Sequence, residues 1–299
     1  MTLALPAHTR SENIRGIVAM LASMAVFVVN DTLVKVAADS LPTGEAIFVR
    51  GVFTVALCAC LIVGTGAAWA LPHALSPRVL LRGLADVGGT VFFLSALVRM
   101  PMGDVFGILQ FTPLAITAAA ALFLGAKVGW RRWSATCAGL IGVLIIVRPG
   151  GDAFTPYAVL VIISVLFSVA RDLLTRGVGT GVPTLVIAGA SASIVTLSSL
   201  GFTLFETWIW PSPVGVMLLA GASVALLAGQ FYLIAAMRTG EIAVVAPFRY
   251  SIILWAVLSG YLVWREVPDL ATWMGIAIVS AAGLYTFLRE QHLARAARA

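Results

Sequence analysis

The 299-residue chain is 61% hydrophobic and 11% charged, against roughly 25% charged residues in ordinary soluble domains. With a mean hydropathy of +1.03, this composition excludes a soluble globular domain and predicts a protein that crosses a membrane many times. The net charge of +6 does not indicate nucleic-acid binding, because the basic residues gather in short loops and at the tail, where they set membrane orientation.

Apolar runs long enough to cross a bilayer follow one another along the chain. A hydrocarbon core of about 30 Å requires around 20 residues per helix, and dividing the chain at its Pro, Gly and charge clusters yields ten such runs. The first run has no small-residue cleavage site, so it predicts a retained helix rather than a secretory signal. The predicted helices are 14–36, 44–64, 79–98, 104–124, 131–148, 156–175, 184–205, 214–236, 241–263 and 270–288.

Loop lengths and loop charges predict the topology. Connections such as 101–103 and 238–240 are so short that neighbouring helices must pack antiparallel. Lys and Arg counted in alternate loops number twelve on the side of the termini and four on the other side, which places both termini in the cytoplasm. The prediction is an all-α membrane protein with a cytoplasmic N-terminal tail, 1–13, and a basic cytoplasmic C-terminal tail, 290–299.

Four segments recur along the chain at a nearly constant offset of 137 to 141 residues. The matches are 31–35 with 172–176, 92–94 with 231–233, 103–105 with 240–242, and Trp133 with Trp273. They predict two five-helix repeats, 14–148 and 155–289. Because each repeat contains an odd number of crossings, the second must be inverted relative to the first, an architecture used by secondary transporters.

Further residues carry a resemblance to a known family. The openings Gly103-Asp104-Val105 and Gly240-Glu241-Ile242 of helices four and nine, the helix-interrupting Pro113 and Pro247, and a Trp at the start of helices five and ten resemble the drug/metabolite transporter superfamily. The chain looks like its EamA-type ten-helix members, and most like the YddG-like exporters of aromatic and other amino acids. Over residues 14–289, the resemblance implies alternating-access export of an amino acid or similar small metabolite.

Three ionisable residues lie about two turns inside predicted helices, where a charge is costly unless it faces water or a partner. Arg50 and Arg249 would each hold a substrate carboxylate, while Asp86 would receive an ammonium group or carry a coupling proton. The alternative is structural pairing. Either arginine would then contact Glu45, Asp86 or a helix-end carbonyl, and Asp86 would contact Arg82 one turn earlier.

Acid-base pairs lie at inversion-related ends of helices one and six. They are Asn30, Asp31 and Lys35 in the first repeat and Arg171, Asp172 and Arg176 in the second. Such pairs are either interfacial anchors or the outer and inner gates of a carrier. As gates, charge reversal at Asp31 and at Asp172 should bias opposite access states. Symmetrical gating charges in the loops are not expected, because Ala126 and Lys127 stand where the second repeat has Glu266.

Pro113 and Pro247 each remove a backbone donor within an apolar helix, and such a gap is tolerated in a membrane only beside protein or a water-filled cavity. Either the helices simply kink, or the paired interruptions mark a central site between helices three, four, eight and nine. Aromatic residues there would either line that site or face lipid. Together with both prolines and the three ionisable residues, the candidate substrate-binding residues are Phe92, Phe93, Gln110, Gln230, Tyr232, Phe248, Tyr250 and Trp255.

No enzyme constellation is found: the histidines lie in tails and loops, and no phosphate-binding loop or catalytic triad can be argued. No cofactor and no metal site are expected, and Cys58, Cys60 and Cys137 are interpreted as packing residues. The expected partners are a small-molecule substrate and the lipid of a bacterial-type inner membrane, with no nucleic acid; oligomeric state and coupling are left open. The alternatives are an uptake carrier for a vitamin- or nucleoside-like metabolite and a non-transporting membrane receptor or assembly factor.

Overall fold

The computed structural model describes residues 10–124, 129–149, 154–176, 182–239 and 241–296. These residues contain ten helices long and apolar enough to cross a membrane, which confirms the all-α, ten-helix prediction. In chain order they are α1 Arg10–Ala37, α2 Thr43–Gly64, α3 Pro77–Leu97, α4 Met102–Leu109 with Thr112–Leu124, α5 Trp130–Val147, α6 Tyr157–Arg176, α7 Thr184–Thr203, α8 Pro213–Thr239, α9 Ile242–Val245 with Ala246–Ser251 and Ile252–Trp264, and α10 Leu270–Ala296.

Most helix ends fall within a few residues of their predicted positions, but α1 and α10 extend into both predicted tails. α1 begins at Arg10 and α10 continues to Ala296, because the thickness of the bilayer limits only the apolar part of a helix, whereas backbone hydrogen bonding continues into the polar sequence beyond it. A 3-10 helix that sequence analysis did not predict, Ala67–Leu75, connects α2 and α3. Lys127 lies outside the described residues.

Equivalent helices of the two halves make equivalent packing contacts with the opposite half. The first helix of each half packs along the third helix of the other half, as α1 does on α8 and α6 on α3. The second, fourth and fifth helices pack on their own counterparts, which pairs α2 with α7, α4 with α9 and α5 with α10. This is the pattern that a two-fold axis between the halves produces, and with five crossings in each half that axis inverts one relative to the other.

Both helices that contain the predicted interruptions are broken. In α4, Thr112 Oγ1 donates a hydrogen bond to the Leu109 carbonyl at 2.6 Å, and this is the carbonyl that Pro113 deprives of its amide donor. In α9, Pro247 lies within the 3-10 helix Ala246–Ser251, whose tighter winding redirects side chains before the α-helix resumes. The carbonyl freed by the first interruption is therefore hydrogen-bonded locally and is not exposed to lipid.

Two glycines allow α5 and α10 to touch. A Cβ atom on Gly275 would lie 2.7 Å from the Gly142 carbonyl oxygen, and one on Gly142 would lie 2.9 Å from the Gly275 carbonyl oxygen. In lipid, helices gain little from the hydrophobic effect when they associate, so close backbone packing at small residues supplies much of the attraction. This close contact holds α5 against α10.

Replacing Gly275 by alanine is expected to destabilise this pair of helices. The new methyl group would lie 2.5 Å from Ile146 Cγ1 as well as against the α5 backbone, and such overpacking costs about 1–3 kcal/mol. The midpoint of thermal unfolding of the purified protein should therefore fall. Gly201→Ala is the matched control, since a Cβ there meets no atom within 4 Å. An equal fall in both variants would contradict close packing at Gly275.

Candidate substrate cavity

A cavity of about 570 Å³ lies within the bundle and is lined by α1–α4 and α6–α9. It extends from Asn30 and Arg50, about two turns inside the helix ends opposite the termini, to Arg82 and Thr175 near the helix ends that face the termini. Loop charges identify that end as cytoplasmic. Its volume is within the range of about 300–1,000 Å³ that is typical of small-molecule sites.

Some of the predicted substrate-binding and gating residues line this cavity. Among the candidate substrate-binding residues, the lining includes Arg50, Asp86, Phe93, Gln230 and Arg249. Among the candidate gating residues, it includes Asn30, Asp31, Arg171 and Asp172. The site predicted between helices three, four, eight and nine also draws on α1, α2, α6 and α7. Sequence analysis included Arg50 of α2 and treated residues of α1 and α6 as gates, but it did not use α7, whose lining consists of Ser, Thr and small apolar residues that occur throughout membrane helices.

Five predicted aromatic residues do not line the cavity. Phe92 stacks on an α6 phenylalanine with ring centroids 5.7 Å apart, and Tyr232 and Phe248 are 40% and 37% exposed elsewhere. Tyr250 directs its hydroxyl at α10, and Trp255 packs against the apolar core. The structure therefore places these side chains outside this cavity, and an aromatic residue in a membrane helix serves equally well in packing or against lipid.

Gln110, Pro113 and Pro247 also lie outside the lining. Pro113 is exposed, so the helix-kink alternative describes its position. Pro247 has a different consequence, because the 3-10 helix that contains it brings Arg249 to the cavity. The interruption in α9 therefore contributes to the site through a neighbouring side chain and not through the proline itself.

The aromatic part of the lining was largely missed from the sequence. It consists of Phe27, Phe93 and Phe106, and the rings of the last two meet edge to face at 6.1 Å. One available signal was spacing: Phe27 precedes Asn30 and Asp31 by three and four residues, which places all three on one face of α1. Phe106 carries no such signal, because it lies in an otherwise apolar segment.

The end of the cavity nearer the termini contains an ion-pair network, here called the outer network, of Arg82, Asp86, Arg171 and Asp172. Arg171 donates to Asp86 at 3.1 Å and to Asp172 at 3.0 Å. Arg82 lies 3.9 Å from Asp86 and also donates to hydroxyls on α6 and α7. The predicted Arg82–Asp86 pair is therefore confirmed, but the shorter contact of Asp86 is with Arg171 of the other half.

A second group, here called the inner cluster, consists of Asn30, Asp31 and Arg50. Asn30 Nδ2 donates to Asp31 Oδ1 at 2.8 Å, and Arg50 lies close enough to Asp31 for their charges to interact. The predicted pair of Arg50 with Glu45 does not form, and Glu45 Oε2 instead accepts the Ile209 amide at 2.9 Å. The inner cluster therefore contains an arginine and a carboxylate that line the same cavity and share no hydrogen bond.

At the end opposite the termini, buried contacts join the two halves. Lys35 Nζ lies 2.9 Å from Glu266 Oε1 and donates to the Met100 carbonyl at 2.8 Å. Glu266 Oε2 also accepts the Met102 amide at 2.9 Å. Lys35 is thus directed to the opposite half rather than to Asp31. The side chain of Arg176, its predicted counterpart, lies outside the described residues.

A more exposed contact lies nearby in the same layer. Arg148 donates to Asp269, and the Thr272 amide donates to the same carboxylate at 2.9 Å. Chiefly because of the hydrogen bond from Arg148, the pKa of Asp269 falls from 3.8 to about 2. Asp269 lies outside the membrane-spanning helices, where water and ions screen this pair.

This lowered pKa predicts that the Arg148–Asp269 contact is insensitive to pH under ordinary assay conditions. Because the pKa in the folded state lies below that of an unfolded aspartate, about 3.9, the contact stabilises the protein above that pH and is lost only as the pH falls towards 2. The difference in thermal midpoint between the wild type and Asp269→Asn should be the same at about pH 8 and about pH 5.5. A difference that shrinks over that interval would contradict the prediction.

Comparisons with known proteins identify the family of this chain. The EamA-like transporter family matches residues 14–148. The pseudopaline exporter of Pseudomonas aeruginosa is 27% identical over 89% of this chain and 93% of the relative. A riboflavin transporter of Vibrio cholerae is 30% identical over 67% of each chain, and the S-adenosylmethionine uptake transporter of Rickettsia prowazekii is 25% identical over 93% and 94%.

A solved crystal structure supports the fold independently. It shares a TM-score of 0.61 at 18% identity and covers 93% of this chain and 98% of its own. The family and these relatives are transporters, not enzymes. This finding argues against the alternative of a non-transporting membrane receptor or assembly factor. With ten apolar helices and bacterial relatives, the protein is a multi-pass inner-membrane protein. The chain belongs to the EamA-like transporter family, within the drug/metabolite transporter superfamily.

Proposed function

We propose that this transporter exports amino acids, aromatic or neutral, or similar small zwitterionic metabolites, by alternating access. The observation that carries the proposal is the mixed charge of the cavity. Its lining contains the arginines Arg50, Arg82, Arg171 and Arg249 and the aspartates Asp31, Asp86 and Asp172. Four cations and three anions leave one positive charge in excess, and a cargo with both a carboxylate and an ammonium group finds partners for each.

The remainder of the lining supports a cargo with an apolar side chain. Phe27, Phe93 and Phe106 supply aromatic surface next to the charged groups. A site with a few placed polar groups and apolar walls is typical of small-molecule recognition. An aromatic or neutral amino acid presents its charged groups on one carbon and its apolar group beside them, which matches this division.

Alternating access is supported by the unequal ends of the cavity. The cavity reaches Arg82 and Thr175 at the cytoplasmic end, whereas contacts of Lys35, Glu266 and Met102 join the halves at the other end. Inverted repeats around a central site exchange these two arrangements by rocking. Outward transport is supported by similarity to an exporter, which is aligned over most of both chains.

Reconstituted protein tests the proposal. Liposomes containing the purified transporter and labelled L-phenylalanine should show saturable flux that unlabelled neutral amino acids inhibit, while protein-free liposomes show none. Asp269→Asn, which alters a contact outside the cavity, should retain this flux. Absence of competition by any amino acid in a panel would reject the amino-acid cargo.

Uptake of a vitamin- or nucleoside-like metabolite is the second candidate, favoured by the riboflavin transporter and the S-adenosylmethionine uptake transporter among the relatives. The same liposomes distinguish it. Inhibition of flux by riboflavin or a nucleoside, without inhibition by amino acids, would favour this candidate. Flux measured with and without an imposed pH gradient would show whether protons drive either activity.

A further inference from the structure

The outer network and the inner cluster differ in how many of their charged and polar atoms already have a partner. In the outer network, Asp86 contacts two arginines, and Arg171 contacts two aspartates. Its polar atoms are therefore largely occupied by each other. A ligand that bound there would have to displace ion pairs that already exist, which costs much of the interaction it gains.

The inner cluster is left incomplete. Asn30 is 3% exposed, and its Oδ1 atom is buried without a hydrogen-bond partner among the described residues. Asp31 is 8% exposed and accepts a hydrogen bond only from Asn30 among those residues. In the described parts of the chain, no group accepts a hydrogen bond from the Arg50 guanidinium. Buried polar groups with unmet hydrogen bonds are costly, and in a membrane they indicate a functional site.

The unmet groups are of complementary kinds. Asn30 Oδ1 and the Asp31 carboxylate accept hydrogen bonds, whereas the Arg50 guanidinium donates them, and it does so in a fork that matches a carboxylate. Arg50 and Asp31 lie close enough for their charges to interact. A ligand that completes the cluster must therefore carry an acceptor anion and a donor cation within a short distance of each other.

We infer that the inner cluster is the head-group subsite for an α-amino acid, in which Arg50 binds the carboxylate and Asn30 with Asp31 binds the ammonium group. This assignment rests on the proposed function. An α-amino acid carries both charged groups on one carbon, so it meets both halves of the cluster at once. Phe27, on the same face of α1 as Asn30 and Asp31, lies in the lining where the cargo's side chain would begin.

Three related probes distinguish the carboxylate-binding part of the subsite from the ammonium-binding part. L-phenylalanine carries both charged groups, 3-phenylpropanoate lacks the ammonium group, and 2-phenylethylamine lacks the carboxylate. Binding of each labelled probe is measured with the purified full-length protein. The wild type should bind L-phenylalanine roughly 10- to 100-fold more tightly than either truncated probe, the span expected for losing charge-assisted hydrogen bonds.

Variants of the inner cluster should change affinity for different probes. Arg50→Gln should weaken the binding of L-phenylalanine and 3-phenylpropanoate by roughly 10- to 100-fold and leave the binding of 2-phenylethylamine unchanged. Asp31→Asn should weaken the binding of L-phenylalanine and 2-phenylethylamine and leave the binding of 3-phenylpropanoate unchanged. Arg50→Lys, which keeps the charge but not the fork, should weaken the carboxylate probes less. This milder variant carries the test if Arg50→Gln does not fold. Asp269→Asn, the same change at an aspartate outside the cavity, is the matched control and should not change the discrimination among probes.

The outcomes separate the subsite from the transport proposal. Equal weakening of all three probes by Arg50→Gln, or selectivity changes in Asp269→Asn that match those of Asp31→Asn, would overturn the subsite even if amino-acid flux persists. No binding of any probe to the wild type would overturn it as well. Selective binding that follows the expected pattern supports the subsite, and if it occurs without flux, only the transport proposal fails.

Discussion

Replacing Glu266 by alanine is expected to open the end of the cavity opposite the termini. Glu266 joins the halves through Lys35 and the Met102 amide, and charge-assisted hydrogen bonds contribute about 1.5–3 kcal/mol each. Losing even one of them would shift the equilibrium between access states by roughly tenfold or more. Lys35 retains the Met100 carbonyl and the ring of Trp264, 4.5 Å away, so the protein should still fold.

Cysteine accessibility measures this shift. Ile47, which is 1% exposed and lines the cavity close to the start of α2, is replaced by cysteine in a background in which the three native cysteines are serine. A membrane-impermeant maleimide should label right-side-out vesicles of Glu266→Ala roughly tenfold faster than the parent, and inside-out vesicles more slowly.

Asp269→Ala is the matched control, because it removes a more exposed ion pair from the same layer, and surface pairs are worth about 0–1 kcal/mol. It should change the labelling rate little. Exchanging the charges, in Lys35→Glu with Glu266→Lys, should restore part of the parent's rate. Equal labelling of Glu266→Ala and the parent, or an equal effect of Asp269→Ala, would show that Glu266 does not hold this end closed.

The fold was predictable because the bilayer imposes it. The thickness of the hydrocarbon core sets the length of each helix, and recurrent segments such as 31–35 and 172–176 give the repeat directly. The inversion then follows from an odd number of crossings. What the bilayer does not specify was not predicted: the 3-10 helix Ala67–Leu75 lies beyond the apolar runs on either side of it, and no periodic pattern marks it.

The site was predictable chiefly in its charged residues. An ionised group in a membrane helix must face water or a partner, and this indicated Arg50, Asp86 and Arg249. The identity of a partner depends on contacts between distant parts of the chain. Lys35 contacts Glu266, and a single sequence contains nothing that distinguishes this partner from Asp31, which lies one turn away on the same helix. Aromatic residues by themselves give little directional signal, because lipid, core and cavity accept them equally; Phe27 was identifiable only through its spacing from Asn30 and Asp31.

Replacing Asp86 by asparagine is expected to cause the largest loss of stability in the cavity. Its carboxylate is shared by Arg171 at 3.1 Å and Arg82 at 3.9 Å, so the variant leaves one cation without its carboxylate partner and the other with a single aspartate. Breaking a fully buried ion pair costs about 3–5 kcal/mol. Because these side chains are 16% to 32% exposed, we expect about 2–3 kcal/mol here, with a matching fall in the thermal midpoint.

A double-variant cycle tests whether the loss comes from the ion pair. Asp86→Asn with Arg171→Gln removes one charge of each sign, so the outer network is neutral again and should recover part of the stability lost by Asp86→Asn alone. Asp172→Asn is the matched control: the Asp172 side chain is 39% exposed and, among the described residues, forms an ion pair with Arg171 alone, so its loss should be smaller. If the two single losses simply add in the double variant, Asp86 and Arg171 are not coupled. The contact that joins α3 to α6 across the two halves would then contribute nothing to their association.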